Sequence, residues 1–126
     1  MPSRRLVSKE LAELFGVLSN PDRIRIVEEL RGRELDVNSL QQSLDIPQAR
    51  VSQQLAVLRS HRLVTERRAG RHVYYHLQQP ALADWILQGL EFFRGEMNFG
   101  HDMETAIEEA LALWGSESQE SEGAPA

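Results

Sequence analysis

Residues 48–61, QARVSQQLAVLRSH, put much hydrogen-bonding chemistry on one short segment. Val51, Leu55 and Leu58 repeat at i, i+4 and i+7, which is one side of a helix. Arg50 and Gln53 fall on the opposite side, with Gln48, Ser52 and Gln54 beside them. Amides and guanidiniums in this arrangement suit the edges of nucleic-acid bases: Gln matches adenine and Arg matches guanine. Hydroxyls and a helix N-terminus suit phosphate oxygens. A carboxylate would be repelled by such a partner, and residues 46–65, 20 in a row, contain none. An ordinary solvated helix face gives no reason for that exclusion.

A second cationic group follows. Arg67, Arg68 and Arg71 flank Ala69-Gly70, with His72 next and Glu66 the one acid close by. Guanidiniums so clustered can lie along phosphates or enter a minor groove, where a narrow groove deepens the negative potential. The competing explanation is charge that protects an edge strand from pairing with other chains. A third group is acidic. His101, Glu104 and Glu108 share a helical face at i, i+3 and i+7, a nitrogen and two carboxylates that suit zinc or nickel as an effector. The competing explanation is a solvated face at a helix start, where the dipole favours acids. There are no cysteines, so disulfides, thiolate metal sites and thiol chemistry are excluded. No Gly-rich phosphate loop and no supported Ser-His-acid pattern points to an enzyme.

Local patterns predict the elements that must position these residues. Val7, Leu11, Leu14, Phe15 and Leu18 recur at helical spacing. Asn20 can cap a second helix with Pro21 in its first turn, carrying Ile24, Val27 and Leu30 and stopping near Gly32. Asp36 is a cap for a short third helix with Val37, Leu40 and Leu44 inward. LDIPQ reads as a tight turn, and the fourth helix is the segment 48–61 itself. RLVTERRAGRHVYYHL reads as a hairpin about Ala69-Gly70. A fifth helix over 81–94 is apolar almost all round through Leu82, Trp85, Ile86, Leu90 and Phe93. GEMNFG interrupts it, and a sixth helix over about 102–114 carries Met103, Ile107, Ala110, Leu111 and Trp114. GSESQESEGAPA has the composition of a disordered tail.

The order is mainly α with a small β-hairpin. A short helix, a tight turn, a second helix and a hairpin make a winged helix-turn-helix, with the second helix of the pair directed at the major groove. The expected organisation is a DNA-binding and dimerisation domain over 1–95, an additional helix over 96–114 in the same domain, and an acidic tail over 115–126. The fifth helix is too apolar for a small monomer to cover, which predicts a homodimer with two reading helices for a two-fold operator.

The 126 residues suit one domain with extensions. A net charge of −5 argues against nucleic acid until its distribution is considered. Residues 1–80 hold 13 of the 14 Lys+Arg and 9 of the 19 acids, so a basic body carries an acidic C-terminal segment. No apolar run reaches membrane-helix length, and Lys9, Glu10 and Glu13 interrupt any signal-peptide core, so a cytoplasmic protein is expected.

LSNPDRIRIVEEL, VSQQLAVLRSHRLV and RRAGRHVYYHL, in that order within residues 9–94, resemble the ArsR–SmtB family of bacterial repressors. The resemblance implies a homodimer joined through the first and last helices, and repression relieved by an effector that is often a metal ion. It also implies that Gln48, Arg50, Ser52, Gln53 and Gln54 face an operator and that Arg67, Arg68 and Arg71 face its backbone. The dimer contacts would come from Leu11, Phe15, Leu82, Trp85, Ile86, Leu90 and Phe93. The chain departs from the family pattern in four places. Gln54 stands where many members have His, and Arg62 where many have Gly. Asp36-Val37-Asn38 replaces the third-helix Cys-x-Cys of metal-sensing members. The Asp and His of a fifth-helix metal site would fall on Asp84 and Ile86, and Ile cannot be a ligand. The alternative function is a winged-helix protein-interaction module regulated by the acidic segment.

Overall fold

The computed structural model describes residues 2–96 and 100–123, and the side chains of 2–94 and 100–113. The element order is α1 (Pro2–Leu18), α2 (Pro21–Glu29), β1 (Leu35–Asp36), α3 (Val37–Leu44), α4 (Gln48–Ser60), β2 (Val64–Ala69), β3 (His72–Leu77), α5 (Ala81–Glu96) and α6 (His101–Gly123). Among the described residues no helix is long and apolar enough to cross a membrane.

Two helices start where their caps require. Asn20 Oδ1 accepts from the backbone N–H groups of Asp22 and Arg23 at 2.9 and 3.1 Å, and Pro21 occupies the first turn. Asp36 Oδ1 accepts from Ser39 N–H at 2.8 Å. Hydrogen bonds from Ser39 hold the Asp36 carboxyl below its usual range. The third helix ends on Asp45 in the left-handed region, φ 54°. Arg25 of α2 donates to the carbonyls of Leu44 and Ser43, each at 3.1 Å. Those carbonyls end α3 without helical partners, so a cation there satisfies orphan acceptors and complements the dipole.

The core of the first compact unit, residues 1–79, is Ile26 and Val27 of α2 with Leu30 at its C-cap, Leu40 of α3, and Val51, Leu55 and Leu58 of α4, nearly or wholly inaccessible. Each such side chain contributes about 1.5–3 kcal/mol by burial. Val27 and Leu30 are buried as the spacing predicts, Ile26 joins them, and Ile24 is half-buried.

The end of α4 forms a Schellman closure. Leu63 N–H reaches Leu58 O at 2.9 Å and Arg62 N–H reaches Arg59 O at 3.0 Å. The closure needs a left-handed residue, and Arg62 adopts φ 62°. A Cβ is penalised there and glycine is not. Arg62→Gly is therefore expected to raise the unfolding free energy by about 0.5–1 kcal/mol, read as a higher urea midpoint at unchanged m-value.

The sheet is three-stranded and antiparallel, in the order β1-β3-β2. Val64 pairs with Leu77 and Ala69 with His72, which leaves Gly70-Arg71 as a two-residue loop. Gly70 has φ 61°, the positive value that a II′ hairpin places at its first loop position. The turn thus lies one residue beyond the predicted Ala69-Gly70, and Arg71 sits in it. Leu35 and Asp36 add to the hairpin by pairing with Tyr75 and Tyr74. A two-residue strand has no period of its own, so sequence pattern predicts a hairpin and misses it.

The second unit, residues 80–126, contains α5 and α6. The division falls at Gln79–Pro80. Arg94 joins the two helices of this unit through ion pairs to Glu104 and Glu108. The sixth helix runs to Gly123, where composition predicts a disordered tail from 115. Ser, Glu and Gln cannot build a core, but Glu and Gln are good helix formers and no proline intervenes before Pro125. The predicted interruption at GEMNFG and the Trp114 side chain lie partly or wholly outside the described residues.

Candidate nucleic-acid interface

The reading face starts from the α3–α4 turn. Pro47 is the N-cap of α4, with φ −59° and ψ 145° and no side-chain oxygen to offer the first amides. The first helical bonds are Arg50 N–H and Val51 N–H to Pro47 O, at 3.0 and 3.1 Å. The opening of α4 thus keeps backbone donors without a side-chain cap, an arrangement suited to an anion. Behind them Val51, Leu55 and Leu58 anchor the helix in the core. Gln48, Arg50, Ser52 and Gln53 are exposed, and Gln54 is half-buried.

Two of these side chains are held by the first turn of α2. Arg50 donates from Nε to Asp22 Oδ2 at 2.7 Å, and its Nη2 lies 2.6 Å from the same oxygen. Arg23 donates from Nη1 to Gln54 Oε1 at 2.8 Å and from Nε to Val17 O. Arg23 therefore links the end of α1, the start of α2 and the middle of α4. Asp22 and Arg23 were legible only as part of a helix start, NPDR. Their attachment to α4 depends on how the helices cross.

The hairpin divides the three predicted arginines. Arg67 is engaged within the protein: its Nε and Nη2 donate to Glu34 Oε2 at 2.9 and 2.7 Å. Its guanidinium also lies 4.9 Å from the Tyr74 ring centroid. The hydrogen bond from Arg67 holds the Glu34 carboxyl below its usual range and raises the Arg67 pKa in return. His76 Nδ1 stands 3.7 Å from the same carboxylate. Arg67 thus fastens the hairpin to the residue before β1, a contact that residue spacing alone does not show. Arg68 is strongly exposed, with Nε at a long 3.8 Å from Glu66, and Arg71 is exposed in the loop. Glu66, the acid near the tip, is also paired with Arg59 at 3.2 Å.

The His101, Glu104 and Glu108 group is not assembled as a metal centre. Among the described residues no three His, Cys, Asp or Glu side chains are placed to hold an ion. Arg94 donates to Glu104 Oε2 at 3.1 Å and to Glu108 Oε1 at 3.0 Å, so a guanidinium occupies the acidic pair that residue spacing offers as a candidate for zinc or nickel. The spacing on α6 was read correctly, and the cation that answers it comes from α5.

The residues assigned to a dimer contact are placed as follows. Leu11 and Phe15 are exposed on α1, as are Leu6 and Val7. On α5, Trp85 and Phe93 are exposed, while Leu82, Ile86 and Leu90 are half-buried. Phe92, absent from the predicted set, is 66% exposed and packs edge-on to Phe93.

A short helix, a turn pinned by Arg25, a second helix with its polar face outward and a hairpin with arginines at its tip define the winged helix-turn-helix class. Residues 20–66 match the family described as bacterial regulatory protein, arsR family. The chain is 43% identical over 70 residues to a transcriptional repressor SmtB homolog of Synechocystis, covering 56% of this chain and 53% of that one, about half the relative's length. It is 34% identical to a biofilm growth-associated repressor of Agrobacterium fabrum, over 68% of this chain and 74% of that one. Reduced HlyU from Vibrio cholerae superposes with a TM-score of 0.66 at 27% identity, covering 74% of this chain and 98% of that one. The chain belongs to the ArsR family of bacterial regulatory proteins.

Proposed function

We propose that this chain is a sequence-specific transcriptional repressor that binds a two-fold double-stranded DNA operator as a homodimer in the bacterial cytoplasm. The observation that carries the reading is α4: a helix fixed in the core on one side, with Gln48, Arg50, Ser52, Gln53 and Gln54 on the other and no acid from 46 to 65. Arg68 and Arg71 add backbone contacts from the hairpin. The exposed apolar side chains of α1 and of α5 support self-association. Repression rather than activation rests on the names of the relatives, and an effector on family membership alone.

Fluorescence anisotropy on the DNA upstream of the chain's own gene, against scrambled DNA across a salt series, tests this. Sequence-dependent binding is expected, with a log–log salt slope of about −0.9 per phosphate contacted. Arg68→Ala is expected to weaken both DNAs alike and to flatten the slope by about one contact. No preference over scrambled DNA and a flat slope would favour the protein-interaction module. Repeating each titration with chelator and with zinc or nickel shows whether either metal acts as effector.

A further inference from the structure

We propose that Asp22, which is not on the DNA-reading helix, sets the base preference of that helix by presenting Arg50 to a guanine. The proposal rests on the reading of α4 as the operator-contacting helix and adds what α4 selects.

Arg50 is held by one edge. Asp22 Oδ2 takes Nε at 2.7 Å and Nη2 at 2.6 Å. Nη1 has no partner among the described residues, and Nη2 keeps a second hydrogen. The remaining Nη1–Nη2 edge is the pair of parallel donors that matches O6 and N7 of guanine. The Asp22 side chain is 13% exposed and that of Arg50 53%, so the carboxylate is a fixed base and the guanidinium projects from it. The Asp22 backbone is anchored at the start of α2, where its N–H donates to Asn20 Oδ1 at 2.9 Å. An arginine held this way has less rotamer freedom to lose on binding.

Selection of binding sites from a randomised duplex pool, followed by anisotropy on the selected site, tests this. Asp22→Asn keeps the shape and removes a negative charge near the phosphates. Electrostatics alone would tighten binding; positioning of Arg50 demands the opposite sign. Asp22→Asn is expected to weaken the selected site about five- to tenfold and flatten the guanine preference that Arg50→Ala also flattens, while scrambled DNA is bound no more weakly than before. The double variant should lose no more than Arg50→Ala alone. Undiminished selectivity in Asp22→Asn overturns the proposal. If the unaltered protein selects no sequence, or if Arg50→Ala leaves selection intact, the reading of α4 falls and the proposal with it. If only Arg50→Ala changes selection, the positioning role alone falls.

Discussion

A chain carrying Val7→Glu and Leu11→Glu is expected to sediment as a 14.4 kDa monomer and to lose operator affinity by at least about 10²-fold. Val7 and Leu11 are one helical turn apart on α1, 58% and 45% exposed, and Phe15 continues the stripe at 53%. Large apolar side chains in a row on a small protein mark a surface that another surface covers. In a two-fold contact every substitution appears twice, so two glutamates place four carboxylates in an apolar interface, and desolvating them far outweighs the lost burial. The affinity loss follows from linkage of two reading helices: the second half-site contact is intramolecular in a dimer and is lost in a monomer. Because both positions are exposed in the single chain, its thermal unfolding should remain cooperative. Analytical ultracentrifugation and anisotropy read the two outcomes separately. An unaltered protein that sediments as a monomer would refute the dimer.

Arg50→Ala is expected to cost about 1–3 kcal/mol on the specific operator and to relax base preference at one position in each half-site, with little change on scrambled DNA. Arg50 is the one arginine among the five α4 residues assigned to the operator, so its loss removes the strongest direct contact available to that face. The substitution also leaves the Asp22 carboxylate without its partner. That site is 13% exposed, so a fall in stability accompanies the fall in affinity. The two are separable: circular dichroism reports the stability, and binding measured well below the melting temperature reports the contact. Equal losses on operator and scrambled DNA would mean that Arg50 meets phosphate rather than a base.

Much of the scaffold was legible because its signals are local. Asn20, Pro21 and Asp36 cap helices within three residues of themselves, and Gly32 and Gly70 take the positive φ that their positions suggest. The inward sides of α3 and α4 follow from spacing, since Leu40 and Leu44, and Val51, Leu55 and Leu58, are the buried residues. Arg62 was visible as a departure from a glycine pattern, and the structure gives that departure its meaning, a left-handed closure. The strand β1 escaped because two residues have no period, and the long α6 because composition reports on burial better than on helicity.

What the sequence by itself determined, then, is which segments are helices, where they begin, and which face of α4 is polar and free of acid. These depend on residues a few positions apart, and backbone geometry converts such spacings directly into faces. What only the tertiary structure decided is what each charged side chain meets. Arg50 meets Asp22 across 28 residues, Arg23 meets Gln54 across 31 and Arg67 meets Glu34 across 33. A guanidinium can serve a carboxylate, an amide, an aromatic face or a phosphate with similar chemistry. The choice among them is made by the crossing of helices and the register of strands, and so Arg67 fastens the hairpin to Glu34 while Arg50 is mounted on Asp22.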